Sequence, residues 1–340
     1  MSASMTPRMQ ESTASHESTW QRSLQHAFRK VDELLDFLEL TPAQVPECDP
    51  TSSFPLLVPR EYAARMTKGD SRDPLLLQVL PVRDEQLIDE GFLVDPVGDS
   101  ASEVVPGLLH KYASRVLLIT TGACAVHCRY CFRRHYPYDE KPKSWLQWQT
   151  ALQSIERDSS MEEVILSGGD PLSLSNGRLR QLIDAIESIS HVRRLRVHTR
   201  FPLLIPHRID DALLEILGGN RLRTVMVWHI NHAQEIDATV ATAARDLQQA
   251  GILQLNQAVL LRGVNDTLPD QIDLSKRLID VGILPYYLHQ LDRVQGAMHF
   301  ECPESLGIEL VNAMREQLSG YAVPRYVREM PGELSKSLIR

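Results

Sequence analysis

Three of the five cysteines in this 340-residue sequence lie within eight residues of one another. Cys124, Cys128 and Cys131 have the spacing C-x3-C-x2-C. Three thiolates on one short loop can bind three corners of a four-iron cluster. The fourth iron then lacks a protein ligand and can bind a small molecule, because fully protein-ligated clusters use four cysteines. The spacing therefore indicates an iron–sulfur cluster with one open coordination position.

Two other interpretations of these cysteines remain open from their spacing. Structural zinc prefers four closed ligands, and either His127 or His135 could provide the fourth. Unreactive buried thiols are the simplest alternative, although the flanking Arg129, Arg133 and Arg134 are unusual neighbours for a packed core. A secreted disulfide scaffold is excluded, because it needs paired and more abundant cysteines.

After residue 110 the sequence pattern changes to alternating strands and helices, and these elements position the cysteine loop. Predicted strands lie at residues 115–121, 163–167, 195–199, 224–229, 253–260 and 284–290. Predicted helices lie near residues 144–158, 176–189, 208–217, 233–250 and 270–281. Helical crossovers join parallel strands, so the sheet is expected to be parallel. Six strands are too few for a complete eight-stranded barrel, and we predict a partial α/β barrel.

Polar side chains collect where these predicted strands end. Such groups occur at residues 167–170, 198–200, 229–232, 256–257 and 289–292, in addition to the cysteine loop. Ligands of barrels and open α/β sheets bind at the carboxyl edge of the strands. We therefore expect these groups to surround one binding site.

The chain is divided into four segments by its pattern. Residues 1–18 are polar and predict a disordered tail. Residues 19–109 predict a helical, proline-rich segment that packs on the barrel, and apolar residues at helical spacing predict one helix over residues 20–40. The barrel is assigned to residues 110–300 and a C-terminal segment to residues 301–340.

The composition is typical of a soluble globular enzyme, with 43% hydrophobic residues and a net charge of −8. That charge argues against a protein that coats nucleic acid or an anionic membrane. No apolar run reaches the roughly 18 residues that a membrane span needs, and the N-terminus has no apolar signal segment. We expect a cytoplasmic protein without nucleic-acid or membrane partners.

Longer motifs around the cysteines make the sequence similar to a known family. Residues 127–134 read HCRYCFRR, residues 167–172 read SGGDPL, and residues 261–266 read LRGVND. Together with EMPGELSK at residues 329–336, these motifs resemble lysine 2,3-aminomutases of the radical S-adenosylmethionine superfamily. The resemblance runs from about residue 54 to residue 336. The short chain looks most like the enzymes that make β-lysine for modification of elongation factor P.

The resemblance implies a fold, three cofactors and the residues that bind them. The fold is a radical S-adenosylmethionine partial barrel of six βα units with a short C-terminal cofactor-binding tail. The implied ligands of a [4Fe-4S] cluster are Cys124, Cys128 and Cys131. The implied contacts of S-adenosylmethionine are Tyr130, Ser167, Gly168, Gly169, Asp170, His229 and Gln257. Pyridoxal 5′-phosphate is implied to bind covalently to Lys336 and to contact Lys111, Tyr112 and Arg115.

The resemblance also implies a reaction, the isomerisation of L-lysine to β-lysine by movement of the amino group from Cα to Cβ. Arg133 is the implied partner of the substrate carboxylate, and Asp292 and Glu329 are the implied partners of the far ammonium. The resemblance further implies an electron donor of flavodoxin or ferredoxin type. It also implies a functional link to elongation factor P and its ligase. The alternatives are an aminomutase for another amino acid such as glutamate, a radical enzyme without pyridoxal phosphate, and a zinc or iron–sulfur binding module without catalysis.

Overall fold

The computed structural model describes residues 19–140 and 144–340, so the predicted tail at residues 1–18 lies outside the described residues. One ten-stranded sheet runs through the described part of the chain. Its strands are β1 Glu103–Val105, β2 Leu108–Tyr112, β3 Arg115–Thr121, β4 Glu163–Gly168, β5 Arg194–Thr199, β6 Arg223–Trp228, β7 Leu253–Val259, β8 Leu284–His289, β9 Arg325–Arg328 and β10 Ser337–Leu338. Neighbours in sequence are neighbours in the sheet, and β1 and β10 form its two edges.

The centre of the sheet is parallel, as predicted. Strands β3 to β9 pair in parallel with each successive neighbour. Strands β1 and β2 extend one edge in antiparallel pairing, and β10 extends the other. Strand β4 is buried along its whole length, as expected for a strand covered on both faces. The open sheet confirms the partial barrel.

Helices connect the parallel strands. The α-helices within the described residues are α1 Thr19–Gln25, α2 Val31–Phe37, α3 Arg60–Ala63, α4 Pro74–Leu77, α5 Trp145–Arg157, α6 Asn176–Ser188, α7 Phe201–Leu204, α8 Asp211–Gly218, α9 Ala238–Gln249, α10 Leu268–Asp280 and α11 Glu304–Gln317. The five predicted crossover helices are α5, α6, α8, α9 and α10. Ser144, Ser175, Asp210, Asp237 and Thr267 cap them, each with a side chain that accepts a backbone N–H. Over the described ranges, no helix has the length and apolar character needed to cross a membrane.

The predicted single helix over residues 20–40 is wrong in its middle. The structure has two short helices there, α1 and α2, separated by residues 26–30. The backbone of Phe28 exchanges two hydrogen bonds with that of Val58, of 2.8 and 3.0 Å. This tertiary pairing takes the backbone groups that a continuous helix would use, although the apolar face is buried as expected.

The C-terminal segment belongs to the same sheet as the barrel. Helix α11 leads to β9, which pairs in parallel with β8, so the sheet continues past the predicted boundary at residue 300. Gly307 lets α11 lie close to β9, since a Cβ there would be 2.2 Å from the Tyr326 ring. The sequence pattern had revealed neither α11 nor these last two strands.

Candidate active site

The three cysteines lie on the loop after β3, at the carboxyl edge of the sheet. All three are partly exposed and unpaired as disulfides. Burial, and next the neighbouring Cys128, raise the pKa of the Cys131 thiol to about 11. Burial and the charge of Cys131 also hold the pKa of Cys124 well above its usual value. Bound iron favours the thiolate form and offsets this cost, so three thiols gathered on one loop fit a cluster.

The two histidines considered as zinc ligands have other partners. The Nδ1 atom of His127 lies 2.8 Å from the carbonyl oxygen of Pro55, and its ring stacks on Phe54. The Nε2 atom of His135 lies 3.1 Å from the carbonyl oxygen of Gln295. Across residues 19–140 and 144–340, no group of three or more His, Cys, Asp or Glu side chains is arranged to bind a single metal ion. The thiolates of an iron–sulfur cluster bind different irons, so a cluster has different geometric requirements.

Two arginines of the cysteine loop attach it to the N-terminal segment. Arg129 is fully buried, and it donates from Nε and Nη2 to the two carboxylate oxygens of Glu85. Arg134 Nη2 donates to the same carboxylate at 2.6 Å. A carboxylate shared by two guanidinium groups holds both by charge-assisted hydrogen bonds. These contacts fix the shape of the loop, and the sequence had not revealed Glu85.

The glycine turn after β4 lies directly against the cysteine loop. Gly168 has a φ of +121°, a conformation that favours glycine. A Cβ at Gly169 would lie 2.3 Å from the carbonyl oxygen of Ala123. The amide of Gly169 donates to Thr121 O at 2.7 Å, and that of Asp170 donates to Ala123 O at 2.8 Å. The close approach of two loops therefore requires glycine here.

The variant Gly169→Ala is expected to displace the cysteine loop, because the added methyl group cannot fit beside Ala123. We expect the free energy of unfolding to fall by about 1–3 kcal/mol, the usual cost of overpacking, and the iron bound after reconstitution to fall as well. Gly177→Ala is the matched control, since nothing lies within 4 Å of a Cβ there. Chemical denaturation and iron analysis compare the two variants. Equal stability and iron content would contradict the expected clash.

The Asp170 carboxylate accepts hydrogen bonds from several groups of the protein. It accepts a hydrogen bond of 2.7 Å from Thr199 Oγ1. The amides of Leu172, Arg200 and Phe201 also donate to it, at 3.0, 2.8 and 3.1 Å. Burial raises its pKa to about 6, although these hydrogen bonds favour the anion. Asp170 thus joins the glycine turn to the end of β5, and its contact with S-adenosylmethionine stays a prediction.

Tyr130 and His229 come together at the carboxyl edge. Tyr130 Oη lies 3.1 Å from His229 Nε2, and the two rings stack with centroids 5.6 Å apart. Asn231 Nδ2 donates to Tyr130 Oη at 2.6 Å. Burial lowers the pKa of His229 to about 3, so its imidazole is neutral. Gln257 is half-buried on β7, in register with Tyr287 of β8.

A continuous series of ion pairs connects the residues predicted to bind pyridoxal phosphate and substrate. Lys336 pairs with Glu329, which also accepts a hydrogen bond of 2.8 Å from Lys111 Nζ. Lys111 Nζ lies 2.6 Å from Asp99 Oδ1, and Arg133 Nε donates to Asp99 Oδ2 at 2.7 Å. We call Lys336, Glu329, Lys111, Asp99 and Arg133 the ion-pair chain. It links the C-terminal hairpin, the N-terminal segment and the cysteine loop.

The ion-pair chain is largely shielded from solvent. The side chains of Asp99 and Arg133 are 2% and 7% exposed. Burial opposes ionisation of Glu329, but the charges of Lys336 and Lys111 lower its pKa to about 2. Arg133 also donates from Nη1 to Ser167 Oγ at 3.0 Å, so it reaches the glycine turn.

The hairpin of β9 and β10 explains why Lys336 meets Glu329. Glu329 directly follows β9, Lys336 directly precedes β10, and Ser337 is paired with Arg328 in register. The hairpin loop packs on the N-terminal segment, because a Cβ at Gly98 would lie 3.2 Å from the Cβ of Pro331. The predicted covalent lysine is thus held at the edge strand of the sheet.

Three more predicted residues lie around the ion-pair chain. The Arg115 guanidinium lies 4.7 Å from the centroid of the Tyr112 ring. Burial and the charge of Glu329 raise the pKa of Tyr112. The same two causes raise the pKa of Asp292 to about 7. Since nearby charges shift a pKa mainly at short range, Asp292 and Tyr112 share the surroundings of Glu329.

Sequence reasoning missed Asp99, and it placed Arg200, His198 and His289 at the binding edge without assigning them individual roles. Asp99 lies in the proline-rich segment, and its only sequence signal was its charge. Arg200, at a predicted strand end, donates to Cys128 Sγ at 2.8 Å. The Nε2 atoms of His198 and His289, also at strand ends, are buried and have no hydrogen-bond partner within the described residues. Burial, with a contribution from Lys336, lowers the pKa of both. Unpartnered buried nitrogens near Lys336 fit a pocket that a polar cofactor fills.

The open parallel sheet and the three-cysteine loop at its carboxyl edge match the arrangement that the resemblance implies, that of a radical S-adenosylmethionine enzyme. A family described as "4Fe-4S single cluster domain" matches residues 113–199. The "L-lysine 2,3-aminomutase" of Escherichia coli (strain K12) is 47% identical over 284 residues, which cover 84% of this chain and 83% of that protein. The protein of the same name from Haemophilus influenzae is 44% identical over 335 residues, 97% of this chain and 98% of its own. The chain belongs to the lysine 2,3-aminomutase family, whose members are isomerases.

More distant similarities extend the comparison. The "L-lysine 2,3-aminomutase" of Clostridium subterminale is 33% identical over 322 residues, which cover 92% of this chain and 76% of that protein. Among solved structures, a radical SAM methyltransferase from Sphaerobacter thermophilus has a TM-score of 0.44 at 16% identity, covering 65% of this chain and 68% of its own. Family membership supports the predicted cofactors, a [4Fe-4S] cluster, S-adenosylmethionine and pyridoxal 5′-phosphate.

Proposed function

We propose that this protein converts L-lysine to β-lysine in a reaction that depends on pyridoxal 5′-phosphate held by Lys336. The observation that carries the proposal is the ion-pair chain. With Asp99 as the link, it gathers Lys336, Glu329, Lys111 and Arg133 into one shielded group beside the cysteine loop, and each of these four is expected to bind cofactor or substrate. Perturbed charges gathered at the ligand-binding edge of a sheet are typical of a functional site.

The proposed cofactor residues have suitable chemistry and neighbours. Lys336 provides the amine, and Lys111 and Arg115 provide cations for a phosphate group. When bound, pyridoxal phosphate holds the migrating nitrogen, and the cluster with S-adenosylmethionine supplies the radical that removes a hydrogen atom. The residues around them orient the reactants and exclude water. We propose Tyr130, His229, Gln257 and residues 167–170 for S-adenosylmethionine, because they lie at the same sheet edge as Cys128.

The proposed substrate residues favour a long basic amino acid. Arg133 can bind a carboxylate through paired N–H groups. Glu329 already binds the alkylammonium of Lys336, which has the chemistry of the far end of a lysine substrate. Asp292 adds a second acid near Glu329. The side-chain carboxylate of glutamate would meet like charges there, so the arrangement favours lysine over the glutamate alternative.

Lysine binding is expected to weaken as the pH falls below about 7, because Asp292 must be ionised to bind an ammonium group. Its pKa of about 7 is raised by burial and then by Glu329, lowered in part by Lys336 and Lys111, and raised again by Asp99. Protonation below this value should raise KM for lysine, approaching tenfold per pH unit. Asp292→Asn should have a high KM without this dependence. Steady-state kinetics between about pH 6 and pH 8.5 measure it, and a flat native profile would contradict the role.

The proposed reaction is tested by anaerobic reconstitution of the full chain. The protein is supplied with iron, sulfide, pyridoxal phosphate, S-adenosylmethionine, a reductant and L-lysine, and the product is identified by chromatography. β-Lysine that forms only in the complete mixture supports the proposal. No β-lysine from protein with its full iron content would contradict it. β-Glutamate from a parallel mixture that contains glutamate would favour the glutamate aminomutase. β-Lysine formed without pyridoxal phosphate would favour a radical enzyme that does not use this cofactor.

We further propose that the product serves the modification of elongation factor P by a separate ligase in the cytoplasm, and that a flavodoxin- or ferredoxin-type protein supplies the electron. The support is the resemblance to the short aminomutases. Mass spectrometry of elongation factor P from cells without this protein tests the link. The β-lysyl adduct should disappear and return when β-lysine is added. An unchanged adduct would refute the link.

A further inference from the structure

We propose that Asp99 is a positioning residue that holds the cations of Lys111 and Arg133 together, and so couples the cofactor side of the site to the substrate side. The inference rests on the proposed function, because that function assigns Lys111 to the cofactor phosphate and Arg133 to the substrate carboxylate. Asp99 itself contacts neither, and it acts through the two cations.

The geometry of Asp99 is that of a bridge. Its Oδ1 atom lies 2.6 Å from Lys111 Nζ, and its Oδ2 atom accepts from Arg133 Nε at 2.7 Å. One carboxylate therefore uses a different oxygen for each cation, which sets the distance between them. Burial opposes its ionisation, but the charges of Arg133 and Lys111 lower its pKa, so it is an anion at neutral pH.

Because Asp99 also pairs with Lys111, Glu329 can leave Lys111 for a substrate ammonium without freeing the lysine. The Lys111 ammonium donates hydrogen bonds to Glu329 at 2.8 Å and to the carbonyl oxygen of Val97 at 2.9 Å, and it forms an ion pair with Asp99 at 2.6 Å. A substrate ammonium that draws Glu329 away would leave Asp99 as the carboxylate that keeps Lys111 in place. Arg133 uses Nε for Asp99 and one Nη1 donor for Ser167, and the guanidinium has further donors for a carboxylate.

The backbone around Asp99 is itself constrained. The two oxygens of Asp95 accept the amides of Asp99 and Ser100, each at 2.9 Å. The preceding Gly98 has a φ of +67° and packs against Pro331 of the hairpin loop. The N-terminal segment, the cysteine loop and the C-terminal hairpin thus meet at Asp99, which is 2% exposed.

The test compares Asp99→Asn and Asp99→Glu with the native full-length holoenzyme. Asparagine keeps the size but removes the charge that holds two cations, so KM for lysine and the dissociation constant of pyridoxal phosphate, from equilibrium dialysis, should each rise about tenfold or more. The change in kcat should be smaller than the change in KM. Glutamate keeps the charge and should recover part of both affinities. Glu162→Gln is the control. It also removes the charge of a paired carboxylate, but Glu162 and Arg194, which lie 2.6 Å apart, form a partly exposed ion pair outside the site.

Each outcome decides a different point. Both constants within about twofold of native in Asp99→Asn would overturn the proposal, even if the variant melts at a lower temperature. If Asp99→Asn does not fold, native affinities in Asp99→Glu would overturn it, because the added methylene must move at least one cation. A native enzyme that binds pyridoxal phosphate but makes no β-lysine refutes the proposed reaction, and the dialysis comparison still tests Asp99. A native protein that does not bind pyridoxal phosphate refutes both.

Discussion

Replacement of Lys336 by alanine is expected to abolish lysine turnover, with a fall in kcat/KM on the order of 10³-fold or more. Alanine cannot bind the cofactor aldehyde covalently, and the change also removes the cation that pairs with Glu329. Borohydride reduction followed by peptide mass spectrometry should find pyridoxal phosphate attached to the native peptide that contains Lys336. The variant should yield no such adduct while it keeps its iron.

Lys68→Ala is the matched control for this change, since Lys68 is 55% exposed and pairs only with Glu39 among the described ion pairs. It should leave turnover and the trapped adduct unchanged. An adduct on Lys111 would assign the covalent role to the other lysine of the ion-pair chain. Native turnover in Lys336→Ala would contradict the pyridoxal phosphate proposal itself.

Replacement of Cys128 by alanine is expected to remove the iron–sulfur cluster and to reduce turnover below about 1% of native. Two remaining thiolates cannot hold a cluster that already lacks a fourth protein ligand. Arg200 would also lose the sulfur to which it donates at 2.8 Å. Iron and sulfide analysis of the reconstituted variant, with its paramagnetic resonance spectrum after reduction, measures the loss.

Cys48→Ala is the control for loss of a thiol. Cys48 lies beside Val82 in the N-terminal segment, and burial followed by the charge of Asp49 raises its pKa to about 11. This variant should keep its iron and its turnover. Full iron content in Cys128→Ala would show that the ligands are other residues. Native protein that binds zinc and no iron would favour the zinc interpretation.

Local sequence patterns predicted the parallel strands and the crossover helices, because the signals for these elements lie in neighbouring residues. The crossover helices begin where capping residues such as Ser144 and Thr267 stand, and their apolar faces repeat at helical spacing. The predicted helix over residues 20–40 shows the limit of this reasoning. Its apolar face is real, but the pairing of Phe28 with Val58 depends on a segment 30 residues away.

The ion-pair chain could not be predicted from the sequence. Lys111 and Glu329 are separated by 218 positions, and Asp99 lies in a segment without a strong periodic signal. Whether a charged residue is solvated or buried beside another charge depends on which surfaces meet, and that is decided by packing. Asp170 shows the same limit, because its hydrogen bonds from Thr199 and from the amide of Arg200 depend on the packing of β5 beside the glycine turn.

The sequence by itself determined the kind of chemistry and the edge of the sheet at which it occurs. Three thiols within eight residues, and polar groups after successive strands, need no tertiary information to be recognised. Only the tertiary structure decided which charges face one another. It placed Asp99 between Lys111 and Arg133 and set Lys336 against Glu329 across the terminal hairpin. Spacing along the chain determines local geometry, whereas burial and the pairing of distant charges exist only once the segments have packed.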